Sequence, residues 1–193
     1  MSSAPSATGL DVRASRPLFA RAAFGAGRLL QRVRRSFAFV LAALWACLIW
    51  YLSSISAPAV GEWNAFGAVI TNLAHAPEFG MLTLLVCLCL PRADGWVVTT
   101  TNVQRAVWCC VIAYAIVDEF HQAVTPHRDP SVCDVLTDAT ASALVLLAVR
   151  FAGGERAHPV KLARVFLWGL AACGVCALIA TYVPRLRPDW EWL

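Results

Sequence analysis

Long apolar runs separated by short polar stretches dominate the chain from residue 37 onward. Each run is close to the ~17–25 residues that an α-helix needs to cross the hydrocarbon core of a membrane. Because backbone groups in that core must pair within their own segment, the pattern predicts helices rather than isolated strands. The five predicted membrane spans cover about Phe37–Leu52, Leu73–Leu90, Val103–Gln122, Val132–Val149 and Val165–Val183.

The composition strengthens this interpretation. Of the 193 residues, 59% are apolar and 15% are charged, and the mean hydropathy is +0.63. Soluble domains are roughly 45–50% apolar and about 25% charged, so the apolar excess is larger than a soluble core of this size could bury. This excludes a soluble globular enzyme, a disordered chain and a disulfide-stapled secreted module. We interpret the eight cysteines, which lie mostly inside apolar runs, as small apolar residues rather than disulfides or metal ligands.

Basic residues are distributed unevenly between the two sides of the predicted membrane. Thirteen of the 16 Lys and Arg residues lie before the first span or in the second and fourth loops, and the alternate segments hold the other three. By the positive-inside rule, this asymmetry predicts a cytoplasmic N-terminus and an external C-terminus. No nucleotide-binding loop or nucleic-acid signature accompanies the basic residues, so we expect no nucleic-acid partner.

The chain divides into three predicted regions. Residues 1–36 form a basic cytoplasmic arm, in which apolar residues and arginines are spaced as in an amphipathic surface helix over Leu18–Arg35. An Arg-rich transit peptide is the alternative for this arm. Residues 37–150 form a four-helix membrane domain, and residues 151–193 form a cytoplasmic loop, the fifth span and a short outer tail. We therefore expect an all-α membrane protein with a bundle of about five transmembrane helices.

The fifth span differs from the middle three because it carries no ionisable residue between Arg164 and Arg185. We expect it to be peripheral to function. Small residues on one face favour close packing on a neighbouring helix or on a second copy of the chain, which makes a homo-oligomer a candidate arrangement. These residues are Gly169, Ala172, Cys173, Gly174 and Ala177.

The ionisable residues of the three middle spans converge on one side of the membrane. With this topology the second and fourth spans enter from outside, the third leaves toward it, and each carries its ionisable residues near the outer end. Side chains three or four positions apart share a helix face, and ionisable groups within spans face the bundle interior or a water-filled cavity. The sequence therefore predicts an outward-facing pocket. Its expected ligand-binding residues are His75, Glu78, Asp118, Glu119, His121, Gln122, Arg128, Asp134 and Asp138.

The predicted pocket carries an excess of negative charge. Five carboxylates face one arginine and at most three histidines. In a medium of low dielectric constant this excess requires protonation of a carboxylate or a bound cation, so a divalent cation is a candidate cofactor. Arg128 is expected to pair with Asp118 or Asp134, because an arginine fork suits a carboxylate. The candidate metal ligands are His75, Glu78, Asp118 and His121.

Simpler structural roles fit several of these residues. Asp134 follows Ser131 by three positions, as in a capping box at a helix start. Glu119 lies about 100° around the helix from Asp118, which suits a position at the headgroup interface. His121 is close to a helix end, where its ring can bond to a backbone carbonyl. The sequence leaves these roles open beside the functional ones.

Three motifs in this region resemble the signature of VanZ-like membrane proteins. They are residues 118–122 (DEFHQ), residues 126–128 (PHR) and residues 134–136 (DVL), and the family pattern is roughly D-E-x-x-Q, P-G-R and D-V-L-x-N-x-x-G. His75 in the second span and the segment 50–54 at the end of the first span also match the family.

The resemblance covers about Phe37 to Val149, with several departures. The family has Gly, Asn and Gly where this chain has His127, Asp138 and Ala141, and Thr71-Asn72 replaces an Asp-Lys pair. The added carboxylate of Asp138 and the loss of the lysine make this pocket more acidic than the family pattern. We therefore expect its ligand preference to differ.

The resemblance implies a multi-pass protein of the bacterial inner (plasma) membrane and a link to resistance against teicoplanin-type glycopeptides. Our leading hypothesis is a protein that binds or modifies a cell-envelope or lipid-linked component, with membrane lipids and a lipid-linked or glycopeptide ligand as partners. The first alternative is an intramembrane enzyme, acid–base or metal-assisted, with Asp118 or Glu78 as base and His75 or His121 as acid. The second is a cation-coupled carrier, which the apolar cytoplasmic halves of the spans disfavour.

Overall fold

The computed structural model describes residues 32–55, 65–93, 96–97, 99–126, 128, 130–152 and 159–186. Within these ranges the chain forms five long α-helices and one short antiparallel strand pair, which confirms the predicted all-α membrane fold. Most of the predicted surface helix over Leu18–Arg35 lies outside the described residues. The elements are α1 (Arg35–Ser54), α2 (Ala65–Cys89), β1 (Arg92–Ala93), β2 (Trp96–Val97), α3 (Thr101–Ala123), α4 (Val132–Ala152) and α5 (Pro159–Leu186).

Four of the helices, α1, α2, α4 and α5, are long and apolar enough to cross a membrane. The remaining helix, α3, has 23 residues, but Arg105, Asp118 and Glu119 make it more polar, and its crossing stays a prediction. Large apolar side chains point outward from the bundle, such as Phe39 on α1 (68% exposed) and Trp168 on α5 (73% exposed). An apolar surface of this kind suits a lipid environment.

Contacts between the helices establish an up-and-down arrangement. The helices α1 and α3 run in the same direction, because Ser53 at the end of α1 bonds to Asp118 near the end of α3. Helix α2 runs the opposite way, since Arg35 at the start of α1 donates to the carbonyl of Cys89 at the end of α2. Helix α4 begins beside the end of α3 and runs back along it.

The helices extend beyond the predicted spans, most of all at the start of α2. This helix begins at Ala65 rather than Leu73, and the hydroxyl of Thr71 bonds to the carbonyl of Gly67, which satisfies a polar side chain within the added turns. His75 therefore lies about 15 Å along α2 from its first residue, not in the first turns as predicted.

The apolar core lies between the first four helices. Side-chain hydrogen bonds join these helices across it: Tyr114 Oη donates to the carbonyl of Ala46 at 2.7 Å, and Thr83 Oγ1 donates to Ser142 Oγ at 2.9 Å. Such pairing is needed where water does not reach the buried polar groups. All eight cysteines are free thiols, as predicted. The buried core residues are Ile49, Phe79, Leu82, Cys87, Val107, Val111, Ala115, Leu146 and Val149.

Arginines gather at the end of the bundle where α1 and α3 begin. Arg35 Nε donates to the carbonyl of Cys89 at 3.0 Å, and Arg92 Nη2 donates to the carbonyl of Val33 at 2.7 Å. Arg150, at the end of α4, lies at the same end of the bundle. The bundle therefore has a basic end, and its acidic residues lie toward the opposite end.

Helix α5 packs on α2 and α4 through small residues. Cys173 and Ala177 are buried, and a Cβ on Gly169 would lie 2.4 Å from Leu144 Cδ1, so this close approach needs glycine. The predicted packing on a neighbouring helix is confirmed for these three positions. Ala172 is exposed instead, which leaves it available for a contact between copies of the chain.

Candidate functional site

Polar and ionisable side chains of α2, α3 and α4 meet beside the C-terminal end of α1, away from the arginines. The up-and-down arrangement explains this convergence, because α1 and α3 end there and α4 begins there. His127, the turn residue of the family motif, lies outside the described residues. The buried residues of the cluster are His75, Asp118, Glu119, Gln122, Asp134 and Asp138, and the half-buried ones are Glu78, His121 and Arg128.

Four of these residues form what we call the inner group: His75, Glu119, Asp134 and Asp138. One ring nitrogen of His75 and one carboxylate oxygen each of Glu119 and Asp134 lie within 4.8 Å of one another. Asp138 Oδ1 lies 3.4 Å from His75 Nδ1, which is close enough for an ion pair but lacks the geometry of a hydrogen bond. The two aspartates share a face of α4 because they are four positions apart.

The inner group contains buried polar atoms without hydrogen-bond partners. Within the described part of the chain, Asp134 Oδ1, both carboxylate oxygens of Asp138 and His75 Nδ1 have none. Asp134 is 4% exposed and Asp138 is 1% exposed, so solvent does not replace the missing partners. Leaving such a group unpaired costs about 1–3 kcal/mol, and more when it is charged. The inner group therefore has acceptors to spare for a ligand.

Glu119 is held in the inner group by the start of α4. The backbone N–H of Ser131 donates to Glu119 Oε2 at 2.8 Å, and Gln122 Nε2 approaches Oε1 at 3.4 Å. A position at the headgroup interface is therefore wrong for Glu119. Helix α3 has neighbours on two sides, so Asp118 faces α1 while Glu119 faces α4.

The capping-box role of Asp134 is also wrong. That motif would place the Asp134 carboxylate on the N–H of Ser131, but this N–H bonds to Glu119. The start of α4 uses the Ser131 hydroxyl instead, which accepts a hydrogen bond from Cys133 N at 3.2 Å. The Asp134 carboxylate is thereby left to the inner group.

A second set of polar residues lies against the end of α1. We call it the closing group, and it comprises Ser53, Ser54, Asp118, His121 and Arg128. Asp118 Oδ2 accepts hydrogen bonds from Ser53 Oγ at 2.8 Å and from Gln122 Nε2 at 2.9 Å. These bonds join α1 to α3, while Gln122 also reaches Glu119 and so links the two groups.

His121 belongs to the closing group through contacts with α1. Its Nε2 lies 2.8 Å from Ser54 Oγ, and its ring stacks on Trp50 with the ring centroids 3.9 Å apart. The ring thus faces the end of α1 rather than a backbone carbonyl of its own helix end. It is correspondingly separate from the converging donor atoms of the inner group.

Arg128 also bonds to α1, which corrects its predicted pairing with Asp118 or Asp134. Its Nη2 donates to the carbonyl of Leu52 at 2.8 Å, and its Nε donates to the carbonyl of Ile55 at 3.1 Å. The last carbonyls of a helix lack partners within the helix and carry partial negative charge. The guanidinium satisfies them and so closes the end of α1.

Sequence analysis missed the donors that organise the cluster. Ser53 and Ser54 bond to Asp118 and His121, and the family match at 50–54 is the available signal for both serines. The role of Ser131 depends on its backbone N–H, which no side-chain pattern reveals.

The structure regroups the candidate metal ligands. Of the four predicted ones, only His75 contributes a converging donor atom. Two of the others belong to the closing group, and Glu78 lies outside both groups. The residues that could hold a metal ion together are His75, Glu119 and Asp134.

Comparison with known families gives one match. The family described as VanZ/LLP1 matches residues 29–153, which include α1 to α4 and every residue of the inner and closing groups. Helix α5 lies beyond the matched region. No curated protein and no solved structure matches the chain.

Proposed function

The chain belongs to the VanZ/LLP1 family, and from this premise we propose that its polar cluster binds or modifies a lipid-linked component of the cell envelope. The observation that carries the proposal is the set of unpaired buried oxygens in the inner group. Carboxylates are acceptors, so the ligand has to supply hydrogen-bond donors or positive charge. The hydroxyls or amine of a lipid headgroup meet this requirement.

The setting of the cluster favours a ligand that resides in the membrane. The helices that carry it present apolar side chains outward, including Phe120 on α3, which is 71% exposed. The half-buried Glu78 and His121 lie at the border between the buried cluster and this surface. A lipid can therefore bring its headgroup to the cluster while its chains stay in hydrocarbon.

We also propose that the cluster faces outward from a bacterial inner membrane, with five crossings and a cytoplasmic N-terminus. The arginines at the opposite end of the bundle support this orientation. In a cysteine-free background, a cysteine at Val124, which is 79% exposed beside the cluster, should react with an impermeant reagent added outside. A cysteine at Arg34 should react only after permeabilisation, and the reverse pattern would contradict the orientation.

An outward site is compatible with a link to teicoplanin-type resistance, because such glycopeptides act outside the membrane. The proposed role there is binding or alteration of an envelope component that affects the drug. Deletion of the gene should then change teicoplanin susceptibility, and a plasmid copy with Asp134→Asn should fail to restore it although the protein inserts normally. Full restoration by this variant would contradict the role.

The contact between His75 and Asp138 favours one second candidate, an enzyme. A carboxylate beside a ring nitrogen can orient the imidazole and stabilise its protonated form, as needed for acid–base catalysis. His75 is the stronger candidate acid in this scheme, because His121 is engaged with Ser54 and Trp50. A carrier is disfavoured by the apolar core beneath the cluster.

Native mass spectrometry of the full chain extracted in mild detergent tests the binding proposal. The wild-type protein should retain a lipid adduct from its own membrane, and Asp134→Asn should lose most of it. Ser54→Ala, which changes a polar residue of the closing group, should retain the adduct and serves as the matched control. A lipid-free wild-type protein, or equal retention by Asp134→Asn, would contradict the proposal.

A further inference from the structure

We propose that His75, Glu119 and Asp134 bind a divalent transition-metal ion, with Asp138 positioning the ring of His75. The inference deepens the proposed binding site and rests on the proposed function for the site's role, not for the metal itself. The three donor atoms lie within 4.8 Å of one another. In a tetrahedral site with bonds of about 2.1 Å, donor atoms are roughly 3.4 Å apart, so small side-chain movements suffice to enclose an ion.

The unpaired oxygens are an independent reason to place a cation here. Asp134 Oδ1 and both oxygens of Asp138 lack hydrogen-bond partners in the described ranges, and both side chains are more than nine-tenths buried. A metal ion would use acceptor oxygens that no donor in these ranges uses. It would also offset the charge of three closely placed carboxylates, which otherwise repel one another in a medium of low dielectric constant.

The surroundings of the three ligands resemble the outer shell of a metal site. The N–H of Ser131 holds one oxygen of Glu119 at 2.8 Å and so fixes the direction of the other. Asp138 lies 3.4 Å from Nδ1 of His75. A carboxylate behind a ligating histidine is a common arrangement, in which the proton on one nitrogen leaves the other nitrogen for the metal.

The ligand types indicate the class of ion. One imidazole with carboxylates suits Mn²⁺, Fe²⁺ or Zn²⁺, whereas Ca²⁺ and Mg²⁺ prefer oxygen ligands alone. Three protein ligands leave at least one coordination position open. That position can accept an oxygen of a lipid headgroup, including a phosphate oxygen that bare carboxylates would repel.

Manganese binding by the full chain in detergent tests the inference directly. After treatment with EDTA and removal of the chelator, Mn²⁺ is titrated and the free ion is followed by its EPR signal. The wild-type protein should bind about one ion per chain. Asp134→Asn should weaken affinity at least 100-fold, and Asp138→Asn should weaken it by about 10–100-fold, as expected for an outer-shell residue.

Asp118→Asn is the matched control, because Asp118 is a buried aspartate with one unpaired oxygen that lies outside the converging set. Its affinity for Mn²⁺ should stay within threefold of wild type. The absence of binding by the wild-type protein would overturn the inference, as would equal losses in Asp118→Asn and Asp134→Asn. Gel filtration and circular dichroism identify variants that are misfolded, and Glu119→Gln replaces Asp134→Asn if that variant fails.

Native mass spectra resolve metal and lipid adducts separately, so the two proposals can fail independently. A metal adduct without a lipid would support the metal site and overturn the proposed lipid binding. A lipid adduct in protein that binds no Mn²⁺ would do the opposite.

Discussion

The inner and closing groups are built from the same residue types at the same end of the bundle, yet they differ in how their polar atoms are satisfied. In the closing group, Asp118, His121 and Arg128 each bond to a hydroxyl or carbonyl of α1. In the inner group, Asp134 and Asp138 keep oxygens without partners in the described ranges. The closing group therefore stabilises the fold, whereas the inner group retains capacity for a ligand at a cost in stability.

Removing Arg128 should break the closing group with the largest effect on stability. Arg128→Ala leaves the carbonyls of Leu52 and Ile55 without their donor, and we expect a loss of about 2 kcal/mol. The measurement is thermal unfolding in detergent with EDTA. Affinity for Mn²⁺ should stay within threefold of wild type in the folded protein.

A loss of Mn²⁺ affinity in Arg128→Ala without a loss of stability would contradict this division of roles. Arg128→Lys is a useful intermediate variant, because it keeps the charge but not the planar fork that reaches two carbonyls. Its stability should lie between those of the wild type and the alanine variant.

The same substitution should have opposite effects in the two groups. Asp118→Asn weakens charge-assisted bonds from Ser53 and Gln122, so it should lower the free energy of unfolding by about 1–2 kcal/mol. Asp134→Asn removes a buried charge with an unpaired oxygen, so it should raise the stability of the metal-free protein by about 1 kcal/mol. Unfolding of both variants in EDTA measures the pair, and equal signs would remove the distinction between the groups.

Ser53→Ala should have the smallest effect of this series. Ser53 is buried and supplies one of the two donors to Asp118 Oδ2, so we expect a loss of about 1 kcal/mol. Ser54→Ala should cost less, because Ser54 is exposed and water can replace its bond to His121. Unfolding in detergent would contradict this ranking if Ser54→Ala were the more damaging change.

The convergence of the ionisable residues could be predicted from sequence because it depends on helix direction. The distribution of basic residues predicts alternating directions, and helical spacing then brings His75, Asp118 and Asp134 to one end. The two polar groups could not be separated in this way. Which neighbour Asp118 or Glu119 faces depends on the rotation of α3 between α1 and α4, which tertiary packing determines.

The partner of Arg128 shows a second limit of the sequence. The predicted ion pair considered only side chains, but the carbonyls at the end of α1 offered the guanidinium two well-placed acceptors. The start of α2 was placed too late for a related reason. A polar residue such as Thr71 interrupts an apolar run in the sequence, yet it bonds within the helix and lets the helix continue.

X-ray absorption spectroscopy of the zinc-loaded protein tests the central claim most directly, because it identifies the atoms around the ion. We predict a first shell of nitrogen and oxygen at about 2.0–2.1 Å with the outer scattering of one imidazole. His75→Ala should lose the imidazole signal, and His121→Ala should keep it. An imidazole signal that survives His75→Ala and disappears in His121→Ala would contradict the assignment of the inner group as the ligand site.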